Sequence, residues 1–251
     1  MIAVRCESVS KSYSRTPVLG IKELLVGRHR RVGRFTRKAA LHDVSFQVAR
    51  GRSIGIIGQN GSGKSTLLGL LLGVIRPDRG RVALAGRVAT LLALGAGFHP
   101  ELTGRQNIFL YGSILGMSLR EIRARFDEIV AFSELGDAVD DPLRTYSSGM
   151  TARLGFSTVA HTPAEILLID EVLAVGDLQF QQKCAVKLSQ FTRDGGTLVI
   201  VSHDLNAVER LCDDALWLHE GRVLASGNPR QVVAAYVGWC QGTGAGETAA
   251  G

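Results

Sequence analysis

The sequence predicts an α/β fold: a mostly parallel sheet carrying a phosphate-binding loop, preceded by an antiparallel β part and interrupted by an α-helical subdomain. Three observations carry this prediction. Short apolar, strand-like runs alternate with helical periods in the βα manner of a parallel sheet. A glycine-rich turn, Gly58-Gln59-Asn60-Gly61-Ser62-Gly63-Lys64-Ser65-Thr66, stands between one such run and a helix. From about Pro100 to Ala160 the pattern is helical, with no convincing strand. At 251 residues the chain can bury one large core.

The elements follow in order. Ile2–Val9 and Leu41–Val48 read as strands on either side of a basic insertion. Ile54-Gly55-Ile56-Ile57 is a buried strand leading into the glycine-rich turn, and Leu67 to Leu72 opens a buried helix behind it. A turn at Arg76-Pro77-Asp78-Arg79-Gly80 precedes strand-like Val82–Leu84 and Val88–Leu92. Ser118-Leu119-Arg120-Glu121 is a capping box, opening a helix with Ile122, Phe126, Ile129 and Val130 on one face. The strand pattern resumes at Ile166–Ile169, Leu198–Val201 and Ala215–Leu218. Asn228-Pro229 caps a final helix, and Gly242 to Gly251 reads as a frayed tail. The expected organisation is one nucleotide-binding domain over 1–240, its helical subdomain at about 100–160, and a flexible tail over 241–251.

The glycine-rich turn has the spacing Gly-x4-Gly-Lys-Ser in the strand-to-helix context that phosphate binding requires. Glycine lets the backbone curl so that consecutive N–H groups face one concavity, at which the helix also points its positive end. Gly58 through Thr66 form the cradle. Lys64 reaches terminal phosphates, and the Ser65 hydroxyl ligates the accompanying magnesium ion. Ile166-Leu167-Leu168-Ile169-Asp170-Glu171 delivers two carboxylates to the C-terminal edge of a buried strand, where α/β ligands bind. Asp170 is the candidate magnesium holder and Glu171 the candidate to polarise an attacking water.

Charge is uneven. The chain carries +6, yet residues 14 to 40 hold eight basic side chains against the single Glu23, a local +7 that leaves about −1 elsewhere. Such a run suits an anionic membrane surface, an acidic partner loop or plain solvation. With Phe35 its only aromatic, it does not suit nucleic acid, which needs stacking platforms. Cys6, Cys184, Cys212 and Cys240 show neither disulfide nor zinc spacing, which predicts reduced thiols. The N-terminus shows no secretion signal, and no apolar run approaches the roughly 18 to 20 residues of a membrane span.

With these motifs in place, residues 2 to about 239 resemble the ABC-transporter ATPases, whose core is a RecA-like P-loop NTPase fold. Tyr146-Ser147-Ser148-Gly149-Met150 stands where that family places its Leu-Ser-Gly-Gly-Gln signature, about 20 residues before the Asp-Glu pair, and departs from it at Tyr146, Ser148 and Met150. The resemblance implies that Ser147 and the Gly149 N–H contact the γ-phosphate of ATP held by a second copy. Asp177 resembles the loop that communicates across the dimer, His203 the switch histidine at the γ-phosphate, and Tyr13 the aromatic that stacks on adenine. The family's glutamine between core and helical subdomain has no counterpart in Leu91 to Gly104, a stretch without Gln.

The run Leu94-Gly95-Ala96-Gly97-Phe98-His99-Pro100-Glu101-Leu102-Thr103-Gly104-Arg105-x-Asn107, with Tyr146-Ser147-Ser148-Gly149-Met150 and Asp170-Glu171-Val172-Leu173-Ala174-Val175-Gly176-Asp177, resembles the ATPases that export lipid-linked polysaccharides: O-antigen, teichoic-acid and some capsular exporters of bacteria. The basic insertion after Tyr13 resembles the same subfamily. The resemblance implies ATP and Mg2+ as cofactors, a head-to-tail homodimer, and a polytopic membrane subunit that holds the chain at the cytoplasmic face of the cell membrane. Members that recognise glycan continue well past the last helix, so glycan recognition is expected of the membrane subunit. Two other readings stay open: a soluble ABC-type ATPase of the repair or translation type, and a nucleotide-responsive subunit with negligible hydrolysis.

Overall fold

Nine strands divide between two sheets in the computed structural model, which describes residues 1–15, 36–91, 95, 97–170 and 175–247. The first sheet is antiparallel, with β1 (Ile2–Arg15) between β2 (Thr36–Ala49) and β4 (Arg79–Leu84). The first two strands are longer than their apolar cores, because pairing carries polar residues along: Tyr13 stands opposite Lys38 and Arg15 opposite Thr36. The rest of the basic insertion, 16–35, lies outside the described residues.

The second sheet has the order β5 (Val88–Leu91), β6 (Ile166–Asp170), β7 (Thr197–Val201), β3 (Ser53–Ile57), β8 (Asp214–His219), β9 (Arg222–Gly227). It is parallel through β8, and β9 adds an antiparallel edge. The sequence pattern gave no strand for β9. Its residues alternate exposed and half-buried, as an edge strand with one wet face requires. Strands β3 and β7 are buried at every position, which is why they read as continuous apolar runs.

Apolar clusters cover both faces of this sheet. On one face Ile56, Val199 and Leu216 meet Val4, Val9 and Val44 of the first sheet and Leu67 and Leu68 of helix α1 (Lys64–Leu71). On the other, Ile169, Ile200 and Trp217 meet Phe156, Phe180 and Val232. These come from α4 (Ser148–Ala160), α5 (Leu178–Arg193) and α7 (Pro229–Glu247), with α6 (Leu205–Leu211) alongside. Between β5 and β6, α2 (Gly104–Ile114) and α3 (Leu119–Ser133) pack on α4 around Ile108, Ile122, Ile129 and Leu154. The expected capping box of α3 forms, with Ser118 and Glu121 bonded reciprocally. Helix α4 belongs to two clusters, Phe156 to the sheet's and Leu154 to the helical one.

The tail expected over 241–251 is a correction. Helix α7 continues to Glu247, and 248–251 lie outside the described residues. Its glycines each cost about 1 kcal/mol of helix propensity, but no proline stops the chain. Among the described residues no helix is long and apolar enough to cross a membrane.

Candidate functional site

The phosphate loop leaves β3 at the centre of the parallel sheet, between β7 and β8. Its first residue must be glycine. Gly58 has φ 150°, and a Cβ there would sit 2.1 Å from the Leu218 carbonyl oxygen on β8. Gly63, at φ 109°, is the N-cap of α1 and supplies no side-chain cap. The N–H groups of the first turn therefore have no intrahelical acceptor. Gly61, at φ 79°, borders open space, with nothing within 4 Å of a would-be Cβ. Lys64, buried, donates from Nζ to the carbonyls of Gly58 (2.7 Å) and Gln59 (2.9 Å). The Ser62 hydroxyl is buried without a partner, while the Gly221 N–H donates to its carbonyl and ties the loop to the β8–β9 turn.

A cleft of about 390 Å³ opens beside this loop. Asn60, Gly61, Gly63, Lys64, Ser65 and Thr66 form its floor, Asp170 and His203 one wall, and Tyr13 with Lys38 the other. Asp170 ends β6 in register with Val201, and His203 follows β7 by two residues, so adjacent parallel strands bring both to one edge. Asp204, beside His203, accepts from the Ala207 N–H and caps α6. Tyr13 is 42% exposed, a ring at the mouth rather than in the core. Gln59 and Ser62 line an adjoining recess with His219 and Arg222, and Gly58, the loop's first residue, lines neither. Glu171 lies outside the described residues.

The remaining predicted residues gather elsewhere. Ser147, Gly149 and Asp177 line a second cleft with Met150, Arg153 and Gly176, sharing no residue with the first. Ser147 is the N-cap of α4, its hydroxyl accepting from the Met150 N–H at 3.1 Å. Asp177 is the N-cap of α5, accepting from the Phe180 N–H at 2.9 Å, and Arg153 is its ion-pair partner. The Phe180 N–H, aided by Arg153, holds the Asp177 carboxyl below its ordinary range. Tyr146 has a structural reason to replace the signature's leucine: its hydroxyl donates to the Ala138 carbonyl, in contact with Gly104.

One site residue went unread in the sequence, and another, Asn107, was read only as the end of a family motif. Lys38 looked like one more charge of the basic run. Its pairing with Tyr13 is what brings it to the phosphate cleft, and only the hairpin register reveals that. Asn107, fully buried, accepts from the His99 N–H (2.7 Å) and donates to the carbonyls of His99, Leu102 and Thr103. It fixes the turn from His99 to Thr103 that leads into α2. Leu92, Ala93, Leu94 and Ala96, in the stretch without Gln, lie outside the described residues.

The donor set suits a nucleoside triphosphate with a divalent cation. Unsatisfied helix N–H groups and a lysine meet phosphate oxygens, and the Ser65 hydroxyl and Asp170 carboxylate are hard oxygen ligands in the same cleft. Among the described residues no group of three or more His, Cys, Asp or Glu stands ready for a metal. Mg2+ takes one or two protein ligands and completes its shell with phosphates and water.

Known proteins match in the same sense. A model of the ABC transporter family matches residues 41–174. The O-antigen export system ATP-binding protein RfbB of Klebsiella pneumoniae is 49% identical over 197 residues, 78% of this chain and 80% of that one. A protein of the same name from Myxococcus xanthus is 47% identical over 245 residues, 94% of this chain but 56% of that one, so the chain spans little more than half its length. A dimeric ATP-binding cassette, solved in a post-hydrolysis state bound to ADP and Pi, superposes with a TM-score of 0.71 at 22% identity, covering 90% of this chain and 98% of that chain, a likeness of fold.

Proposed function

Because the chain belongs to the ABC transporter family, we propose that it is the ATP-binding and ATP-hydrolysing subunit of a transporter that exports lipid-linked polysaccharide of the O-antigen kind. The observation that carries this reading is the division of the predicted site residues between two clefts with no shared lining. Neither is a complete site in one chain, and a second copy, turned head to tail, completes both. Two nucleotides are then buried between two chains, which ATP holds together and hydrolysis releases. That cycle drives a polytopic membrane subunit, which keeps the chain at the cytoplasmic face of the cell membrane. The basic segment 14–40 faces that subunit or anionic lipid.

Within each site the residues have separable tasks. Tyr13 stacks on the base through its π-face. Lys64 exchanges its two loop carbonyls for phosphate oxygens, and the N–H groups of Gly61 to Thr66 surround the same charge. Ser65 and Asp170 would hold Mg2+, which would neutralise phosphoryl charge when bound. Glu171 orients the attacking water and His203 contacts the γ-phosphoryl group. From the partner, Ser147 and the Gly149 N–H approach that group through the positive end of α4.

The test is mass spectrometry of lipid-linked glycans from a host carrying Glu171→Gln. Accumulation of polyprenyl-linked polysaccharide inside the cell is expected. An unchanged lipid profile, with the variant present and ATP-bound, would overturn the cargo assignment.

A further inference from the structure

The second cleft contains an ion-pair network that the tasks above leave unused. Arg153 extends from the second turn of α4, with its side chain only 19% exposed. One arm of its guanidinium donates to Asp177 Oδ2 (2.7 Å) and the other to Glu134 Oε2 (2.9 Å). Glu134 also accepts from Lys183 Nζ (2.7 Å), which reaches on to the Phe132 carbonyl (2.9 Å). The guanidinium lies 4.7 Å from the centroid of the Phe180 ring. A single side chain thus touches the C-terminal end of α3, the signature helix α4 and the first turn of α5.

Several details show that this junction is built for position. Asp177 uses both oxygens, one to cap α5 and one for Arg153, so the first turn of α5 is tied to α4. Gly176, at φ 69°, makes room: a Cβ there would stand 3.2 Å from Arg153 Nε. Glu134 is a non-glycine C-cap at φ 58°, a conformation that side chains rarely adopt and that the surrounding structure must hold. Packing already joins these helices through Phe156 and Phe180, 6.3 Å apart, and through Leu154. The charged junction covers the edge of that packing, with Arg153 over the Phe180 ring and Lys183 over Phe132, beside the cleft that the N-caps Ser147 and Asp177 line.

We infer that Arg153 is a positioning residue for ATP hydrolysis: it holds the Ser147–Gly149 turn and the Asp177 loop as one unit and ties that unit through Glu134 to the helical subdomain. The inference rests on the reading that this cleft closes over nucleotide held by a second copy. A two-armed planar donor is required, since lysine can satisfy one acceptor with comparable geometry but not both. Lys183 secures the far side of Glu134 and holds its carboxyl below the ordinary range, so the Glu134 arm stays charged at neutral pH.

The experiment measures ATP affinity with a fluorescent ATP analogue, and ATP-dependent dimerisation by light scattering in the Glu171→Gln background. The variants are Arg153→Ala, Arg153→Lys, Asp177→Asn and the Arg153→Ala/Asp177→Asn pair. Asparagine keeps the α5 cap and removes the charged partner. Expected are ATP affinity within about twofold of the parent, a dimer about tenfold weaker in Arg153→Ala, and partial rescue in Arg153→Lys. The double variant should be no weaker than Arg153→Ala alone, because the two residues act through one contact. Unchanged dimer strength in Arg153→Ala overturns the inference, and so does a parallel fall in ATP affinity or full additivity of the pair. A Glu171→Gln parent that stays monomeric in saturating ATP overturns the dimer reading, and this inference with it.

Discussion

The phosphate cleft and the cleft around Ser147 both lie at the N-terminal end of a helix, yet they treat that end in opposite ways. Helix α1 begins at a glycine that offers no cap, behind a loop whose Ser62 hydroxyl has no partner and whose lysine rests on two carbonyls. Helix α4 begins at a serine that caps it, and the charges beside it are all paired, Arg153 with two carboxylates and Asp177 with two donors. The first cleft therefore presents an uncapped helix N-terminus, where an anion is stabilised. The second has its helix capped and its charges paired, as suits a surface that, on the proposed reading, meets a nucleotide already held by the other chain. In the proposed function, binding belongs to one cleft and completion of the site to the other.

Substitutions can separate these two roles. The largest effect is expected from Lys64→Ala, which removes two charge-assisted bonds to phosphate. ATP affinity measured by calorimetry should fall about 100-fold or more. Retention of near-parental affinity would place binding outside the phosphate cleft. Ser147→Ala sharpens the contrast. It should cost about 1 kcal/mol of stability as a lost cap and lower the steady-state phosphate-release rate, while ATP affinity stays near the parent's. Were ATP affinity to fall with the rate, the two clefts would not divide the work.

The smallest effect is expected where neither cleft is involved. Glu121 in the α3 capping box has its carboxyl drawn down to about 2, chiefly by the Arg87 guanidinium and then by the Ser118 N–H and hydroxyl. A carboxyl depressed in the folded chain stabilises it above the unfolded value of about 4.3 and loses that contribution as pH falls toward 2. Melting temperatures of Glu121→Gln should therefore decline less steeply than the parent's over that window, with ATP affinity at neutral pH unchanged. An acid limb as steep as the parent's would show that the Arg87 pair does not bear on stability.

Legibility followed sequence distance. The phosphate loop could be read because strand, turn and helix are contiguous, and its glycines are demanded by local backbone: Gly58 by φ 150° and the Leu218 carbonyl, Gly63 by φ 109°. The α3 capping box could be read because Ser118 and Glu121 are one turn apart. Strand β9 could not, since Arg222 to Gly227 has only one half-buried face. Nor could Lys38, whose place depends on pairing with Tyr13 from across an insertion, or the four bonds by which Asn107, read in the sequence only as the end of a motif, shapes the turn before α2.

By itself, then, the sequence determined the chemistry of nucleotide binding, because a phosphate loop is built from neighbours and its backbone torsions are set residue by residue. Tertiary structure alone decided which residues share a cleft. Asp170 and His203 join Lys64 because parallel pairing aligns the ends of β6, β7 and β3. Ser147 and Asp177 stand together, away from them, because α4 packs between the sheet and the helical subdomain and Arg153 bridges it to α5 and to the end of α3. Contacts between residues tens of positions apart depend on how the faces of whole elements pack, and no local pattern encodes that.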